Sequence, residues 1–155
     1  MLAPRVQNGS TAMMSMTSRM MDAAISMPGM DTAAMQDLIE ACSACEQACT
    51  VCADSSMSMG EMPMTDMAKC ASMCMDCADM CNTMMRSMLR PAGYDMDSMM
   101  AMMQACMTMC TACAAECMRM GDMSEQCKLC AQACQQCAKA CEVMMAAMKA
   151  MTPAQ

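Results

Sequence analysis

The sequence predicts an all-α fold: an antiparallel, up-down-up-down four-helix bundle with a short additional helix at the N-terminus. Three observations carry this. Turn-forming residues cluster at Pro28-Gly29, Gly60 to Pro63, Pro91-Ala92-Gly93 and Gly121-Asp122, and the segments between them are rich in Ala, Met, Gln and Glu, which favour helix. Cysteines fall in four groups, one per segment, with steps that alternate three and four residues, the period that keeps side chains on one face of a helix. The connections are brief, and brief connections join antiparallel neighbours.

Taken in order, residues 1–30 form a methionine-rich arm whose short helix covers Ser10 to Met27. Its Met13, Met14, Met16, Met20 and Met21 suit either a helix that docks on the bundle or an arm that captures metal. The bundle itself occupies residues 31–151, and 152–155 are a tail. Its first helix, roughly 31 to 56, starts at the N-cap candidate Asp31 and carries Cys42, Cys45, Cys49 and Cys52. The second, roughly 64 to 90, has Thr65 as cap candidate and Cys70, Cys74, Cys77 and Cys81. The third, roughly 95 to 120, starts at Asp95 and carries Cys106, Cys110, Cys113 and Cys117. The fourth, roughly 123 to 151, is capped by Asp122 or Ser124, carries Cys127, Cys130, Cys134, Cys137 and Cys141, and is closed by Pro153.

The three-four rhythm runs on past the cysteines, through Met35 and Leu38, then Met67, Met84 and Met88, then Met96, Met99, Met103 and Met120, and last Met123, Met144, Met148 and Met151. Of the thirty seam positions so defined, twenty-nine carry sulfur. In an up-down-up-down bundle, Met35, Met84, Met88, Met96, Met99, Met103, Met144, Met148 and Met151 meet as one thioether collar. Met67, Met120 and Met123, with loop residues Met57, Met59, Met62 and Met64, form a smaller one at the opposite end.

Composition leaves little else to fill the interior. Leu, Ile and Val together number nine, there is no Phe or Trp, and one Tyr stands against 34 Met and 17 Cys, far from ordinary usage. At 155 residues the chain fits one domain. Its net charge of −7 repels phosphate backbones and anionic lipid, so neither nucleic acid nor membrane is an expected partner. No run of eighteen apolar residues suggests a spanning helix. Histidine is absent, which removes every catalytic or metal arrangement built on imidazole, and no distinct acid–base pair stands in its place. An enzyme is not expected.

Thiolates are soft ligands that select Cu(I), Zn(II) or iron–sulfur clusters, and thioethers favour Cu(I) among these. Two cysteines three or four apart on one helix have Cβ atoms about 5 to 6 Å apart, close enough to clamp one ion. Facing helices can supply further bridges. Each Cu(I) brings one positive charge for each thiol proton lost, so the charge balances near one copper per cysteine, while the empty bundle keeps neutral thiols that pack as small hydrophobes.

These residues resemble the bacterial copper storage proteins, four-helix bundles with a Cys-lined core holding many Cu(I) ions. The likeness is strongest in Cys127-Lys128-Leu129-Cys130-Ala131-Gln132-Ala133-Cys134-Gln135-Gln136-Cys137-Ala138-Lys139-Ala140-Cys141, which is similar to the family's C-terminal CxxCxxxCxxCxxxC run. It extends over about residues 31 to 151. The resemblance implies copper as cargo and a homo-oligomer of four bundles; the soft-ligand chemistry makes all seventeen cysteines the expected ligands, and a copper chaperone or cuproenzyme is the expected exchange partner. Family members often place His near an open bundle end, where this chain has Met.

Other readings are open to the same residues. A single Met at helical spacing is usually core. A high Cys content often marks a disulfide scaffold, but such chains are loop-rich and these cysteines repeat on long helices. Zinc storage, or general thiol buffering of metals, is the main alternative, through four-sulfur sites between helices. Iron–sulfur ligation lacks its C-x2-C-x2-C-x3-C-P spacing in the last group. Charged residues, Glu116 among them, are expected on solvated faces. Abundant Met, a ligand that survives where thiols are at risk, favours an exported, periplasmic protein whose leader is absent from this chain; seventeen free thiols favour the alternative, the cytoplasm.

Overall fold

A computed structural model describes residues 9–24, 29–58, 64–122 and 124–151. The chain forms α1 (Gly9–Ala24), α2 (Thr32–Ser58), α3 (Met64–Met88), a 3₁₀ turn (Pro91–Gly93), α4 (Met96–Arg119) and α5 (Glu125–Met151), with no strand among the described residues. Helix α2 packs on α3 and α5, and α4 packs on α3 and α5, so each bundle helix touches its two neighbours around a square. This is the expected up-down-up-down topology.

Local chemistry sets the ends. The Asp31 carboxylate accepts from the backbone N–H of Ala34 at 2.9 Å and opens α2. The Asp95 carboxylate accepts from Ser98 N–H at 3.0 Å and opens α4, and the Ser124 hydroxyl accepts from Cys127 N–H at 3.2 Å at the head of α5. Thr65 caps nothing, because α3 already begins at Met64. Helix α3 stops at Met88 rather than 90, since the residue before Pro91 is forced away from helical geometry. Helix α2 runs on to Ser58 because no breaker precedes Gly60. Gly29, at φ +84°, makes the turn after the arm in a region that disfavours side chains. Pro153 lies outside the described residues.

The core is the sulfur seam. All seventeen cysteines are buried, as are Met35, Met84, Met88, Met99, Met103, Met120, Met144 and Met148, with Leu38 and Ile39 among them. Beside the seam, Ala53, Ala71, Ala78, Ala114 and Ala131 are buried, each directly following a cysteine. A methyl group there lets neighbouring helices approach closely enough for small thiols to meet.

Two expectations change here. Glu116 is not on a solvated face: it is 7% exposed, sits at the α3–α4 interface, and is held by Arg119 at 2.7 Å and Lys69 at 3.4 Å, while Arg119 also reaches Asp66 at 3.5 Å. Of the four packed faces of the square this one is the least extensive, and the ion cluster bridges it. The Arg119 hydrogen bond outweighs desolvation and holds the Glu116 carboxyl below the usual range. Helix α4 is also long and apolar enough, with a mean hydropathy of 1.2 over its best window, to cross a membrane. Cys and Met score as apolar wherever they stand, and here their seam face is covered by the other helices.

Helix α1 lies against α2. Met21 is buried in that contact beside Ile39, and Gln36 Nε2 donates to Asp22 at 3.5 Å, whereas Met16 and Met20 face solvent. Docking therefore accounts for Met21, and the outward pair is not used in packing.

Candidate metal centre

Every seam cysteine points inward, and their sulfurs form one continuous ladder. Sulfurs of different helices approach through Cys42–Cys137 at 3.6 Å, Cys49–Cys130, Cys45–Cys134, Cys49–Cys134, Cys52–Cys127, Cys74–Cys117, Cys77–Cys110 and Cys81–Cys110 at 3.7 Å, and Cys74–Cys113 and Cys81–Cys137 at 3.8 Å. Cys45–Cys49, at 3.9 Å, is the within-helix contact of the set. Sulfurs of one helix also share groups, Cys45 with Cys49 and Cys130 with Cys134, so pairs on one helix stand beside pairs across helices. In a helix, side chains three or four apart point inward side by side, but the closely packed facing helix presents its sulfur between them.

The sulfurs gather in fours, all within 4.8 Å of one another. Cys42, Cys81, Cys106 and Cys137 make one such group, and Cys45, Cys81, Cys110 and Cys137 the next; each takes one residue from every bundle helix. Cys45, Cys49, Cys77 and Cys134 follow, then Cys49, Cys113, Cys130 and Cys134, then Cys52, Cys74, Cys117 and Cys130. Several sulfurs belong to two groups, so these are overlapping segments of one ladder. Cys70 and Cys127 lie toward one end, where the Ser56 hydroxyl approaches the Cys70 sulfur at 3.8 Å. Cys141 lies toward the other, next to the methionines.

Within the ladder the S–H groups serve one another as donors, and proton sharing splits their acidities. Sulfur-to-sulfur hydrogen bonds pull Cys52 down, first through Cys117, and Cys77 down, first through Cys110. Cys49 and Cys117 are raised, first through hydrogen bonds with Cys113, and Cys81 and Cys110 first through hydrogen bonds with Cys106. Burial pushes Cys127 up to about 12, against an ordinary 9.0. The folded state therefore holds this proton where the unfolded chain has lost it. Its contribution to stability is complete below pH 9 and disappears as the pH rises to about 12. Thermal melts of the reduced, metal-free protein between these pH values are expected to show that loss, and Cys127→Ala to reduce it; a melting point insensitive to pH over the window would contradict the assignment.

The large collar is assembled in part. Met35, Met84, Met88, Met99, Met103, Met144 and Met148 are buried together, while Met96 and Met151 are half-buried at its rim. The smaller collar lies only in part within the described residues. Met120 is buried and Met67 half-buried, but Met57 is 71% exposed, and Met59, Met62 and Met123 lie outside the described residues. Buried Ser56 and Ser124 stand at that end instead. Sequence reasoning also gave no role to Tyr94, whose hydroxyl donates to the backbone oxygen of Met88 at 2.6 Å. Its isolation as the sole aromatic ring, directly after a Pro-Ala-Gly turn, was the available signal.

Comparison with known proteins agrees with this geometry. The family model described as copper storage protein matches residues 31–146. Among solved structures, Ccsp from Streptomyces lividans loaded with 10 copper equivalents is 39% identical with a TM-score of 0.80, over 84% of this chain and 98% of that one. A structure described as copper loading to a cytosolic copper storage protein from the same organism, with five coppers, is 43% identical with a TM-score of 0.70, over 74% and 93%. A histidine-to-alanine variant of the Streptomyces protein is 42% identical with a TM-score of 0.74, over 78% and 99%. No curated protein matches the chain. The expectation of an exported protein is overturned by the cytosolic relative. The physical reason agrees: seventeen free thiols this close together persist in a reducing compartment and oxidise outside one.

Proposed function

The chain belongs to the copper storage protein family, and from that premise we propose that it stores copper as Cu(I), on the order of one ion per cysteine, in the ladder of all seventeen thiols. The single observation that carries this reading is the run of overlapping four-sulfur groups, wholly buried and without a disulfide. Overlap suits a two- or three-coordinate soft ion that shares bridging thiolates. It suits zinc less, because tetrahedral Zn(II) takes four sulfurs for itself and leaves two thiolate charges uncompensated in a dry core. Zinc storage or general thiol buffering is therefore the second reading.

The buried methionines of the large collar, Met35, Met84, Met88, Met99, Met103, Met144 and Met148, with Met96 and Met151 at the rim, act as auxiliary thioether ligands that assist uptake. The role is storage, with no catalytic step. A cytosolic location fits the thiols, a copper chaperone or cuproenzyme is the exchange partner, and the exposed Val51, Met75, Met118, Leu129 and Val143 offer apolar area for assembly of bundles into a tetramer. Nucleic acid and membrane remain unexpected partners for a chain of net charge −7.

Anaerobic titration of the reduced protein with Cu(I), in competition with a chelator of known affinity, tests the reading. Saturation near seventeen equivalents is expected, with release of about one proton per ion. Saturation at one to four equivalents, or tighter multi-ion binding of Zn(II) in a parallel titration, would overturn it.

A further inference from the structure

Tyr94, the sole aromatic residue of the chain, sits half-buried against the methionine end of the bundle, just after the turn that joins α3 to α4. Its hydroxyl donates to the backbone oxygen of Met88 at 2.6 Å. The same hydroxyl oxygen lies 3.6 Å from the thioether sulfur of Met35 and 3.7 Å from that of Met88. Two helices thus bring one thioether each to a common point, and a phenol occupies it. Both methionines are buried, Met88 completely.

We propose that Tyr94 is a displaceable plug over a two-thioether Cu(I) site formed by Met35 and Met88, so that this end of the bundle is shut while the site is empty and opens when an ion takes the place of the hydroxyl. This rests on the reading of the collar methionines as auxiliary copper ligands. The competition is chemically one-sided. A thioether is a weak hydrogen-bond acceptor but a good soft ligand, whereas a neutral phenol is neither soft nor anionic and holds Cu(I) poorly. A phenol, with an ordinary pKa of about 10, is a neutral donor at neutral pH. On binding, Cu(I) gains two sulfur bonds; the hydroxyl keeps its hydrogen and turns to water, and the Met88 carbonyl loses its donor, a cost that the two sulfur bonds offset. Nothing is oxidised or reduced and no proton is released.

A plain structural role also suits Tyr94. Helix α3 ends at Met88, whose carbonyl has no helical partner, and the hydroxyl satisfies it. The two roles separate experimentally, because a cap does not respond to copper.

The test uses the full, reduced chain labelled with ¹³C at the methionine methyl groups, titrated anaerobically with Cu(I), beside Tyr94→Phe. In the parent, the Met35 and Met88 methyl resonances are expected to move in concert with the Tyr94 ring resonances. In Tyr94→Phe, with helicity unchanged, the two methyls move at fewer equivalents. Transfer of copper from that end to excess chelator is then about threefold or more faster, the factor implied by loss of one ordinary hydrogen bond. Methyls that respond identically in both proteins overturn the plug and leave thioether ligation standing. Methyls silent to saturation in both overturn the site and the auxiliary role of these two methionines, while the stoichiometry continues to judge the store. Should Tyr94→Phe fold poorly, Met35→Leu keeps the hydroxyl's bond to Met88; Tyr94 ring resonances that still follow copper in that variant overturn the proposal.

Discussion

Replacing Cys49 and Cys134 together with serine is expected to lower the Cu(I) capacity by more than two equivalents, whereas the same change at Cys70 and Cys127 costs two at most. The difference follows from sharing. Cys49 and Cys134 lie 3.7 Å apart in mid-ladder, and each belongs to two four-sulfur groups, so ions on both sides lose a bridging ligand. Cys127 lies toward the end of the ladder, where its sulfur meets that of Cys52, and Cys70 has the Ser56 hydroxyl on one side. Serine offers a hard oxygen that does not replace thiolate for Cu(I), while its small size preserves the helix packing. Two buried hydroxyls without strong partners cost the empty protein about 1–3 kcal/mol each. Circular dichroism should therefore show an intact but less stable bundle. Equal copper losses from the two double variants would mean that the ions sit in separate sites, and the overlap of groups would then have no functional meaning.

The second large effect is thermal. Copper-loaded protein is expected to melt well over about 20 °C above the reduced, empty protein. A ligand bound only by the folded state at a hundred times its dissociation constant adds about 2.7 kcal/mol per site, and several such sites together exceed the whole stability of an ordinary domain. Here the ligands come from all four bundle helices, so unfolding must break every group. The empty protein has no comparable staple. Its core replaces leucine and phenylalanine with smaller thiols and flexible thioethers, which bury less apolar area and specify packing less sharply. Calorimetry of the two forms decides; a shift of only a few degrees would place most copper outside the bundle interior.

Much of this arrangement was legible in the residues because two periodicities coincide. The three-four spacing that makes a helix face is also the spacing of the cysteines, so the motif and the core are one object, and all seventeen thiols are buried as expected. Asp31, Asp95 and Ser124 were readable as caps for the same local reason, a short side-chain oxygen placed three residues before an orphan N–H. What failed was non-local. Glu116 reads as a solvated charge until Lys69, forty-seven positions earlier in the chain, is brought across the α3–α4 interface. The pairing of sulfurs across helices depends on how the four helices pack around the square, a relation between distant segments that the spacing along one helix does not contain. Met57, expected in a loop, lies on α2 and turns outward, one residue beyond the buried Ser56.

The ladder's overlap has a consequence for traffic. Sulfurs 3.6 to 3.9 Å apart, several of them belonging to two neighbouring groups, would let a bound ion advance by exchanging one ligand at a time without ever being free. A column of ions held in this way would fill and empty in single file, so that one mouth would serve every position and the ion nearest it would be the last to arrive and the first to leave.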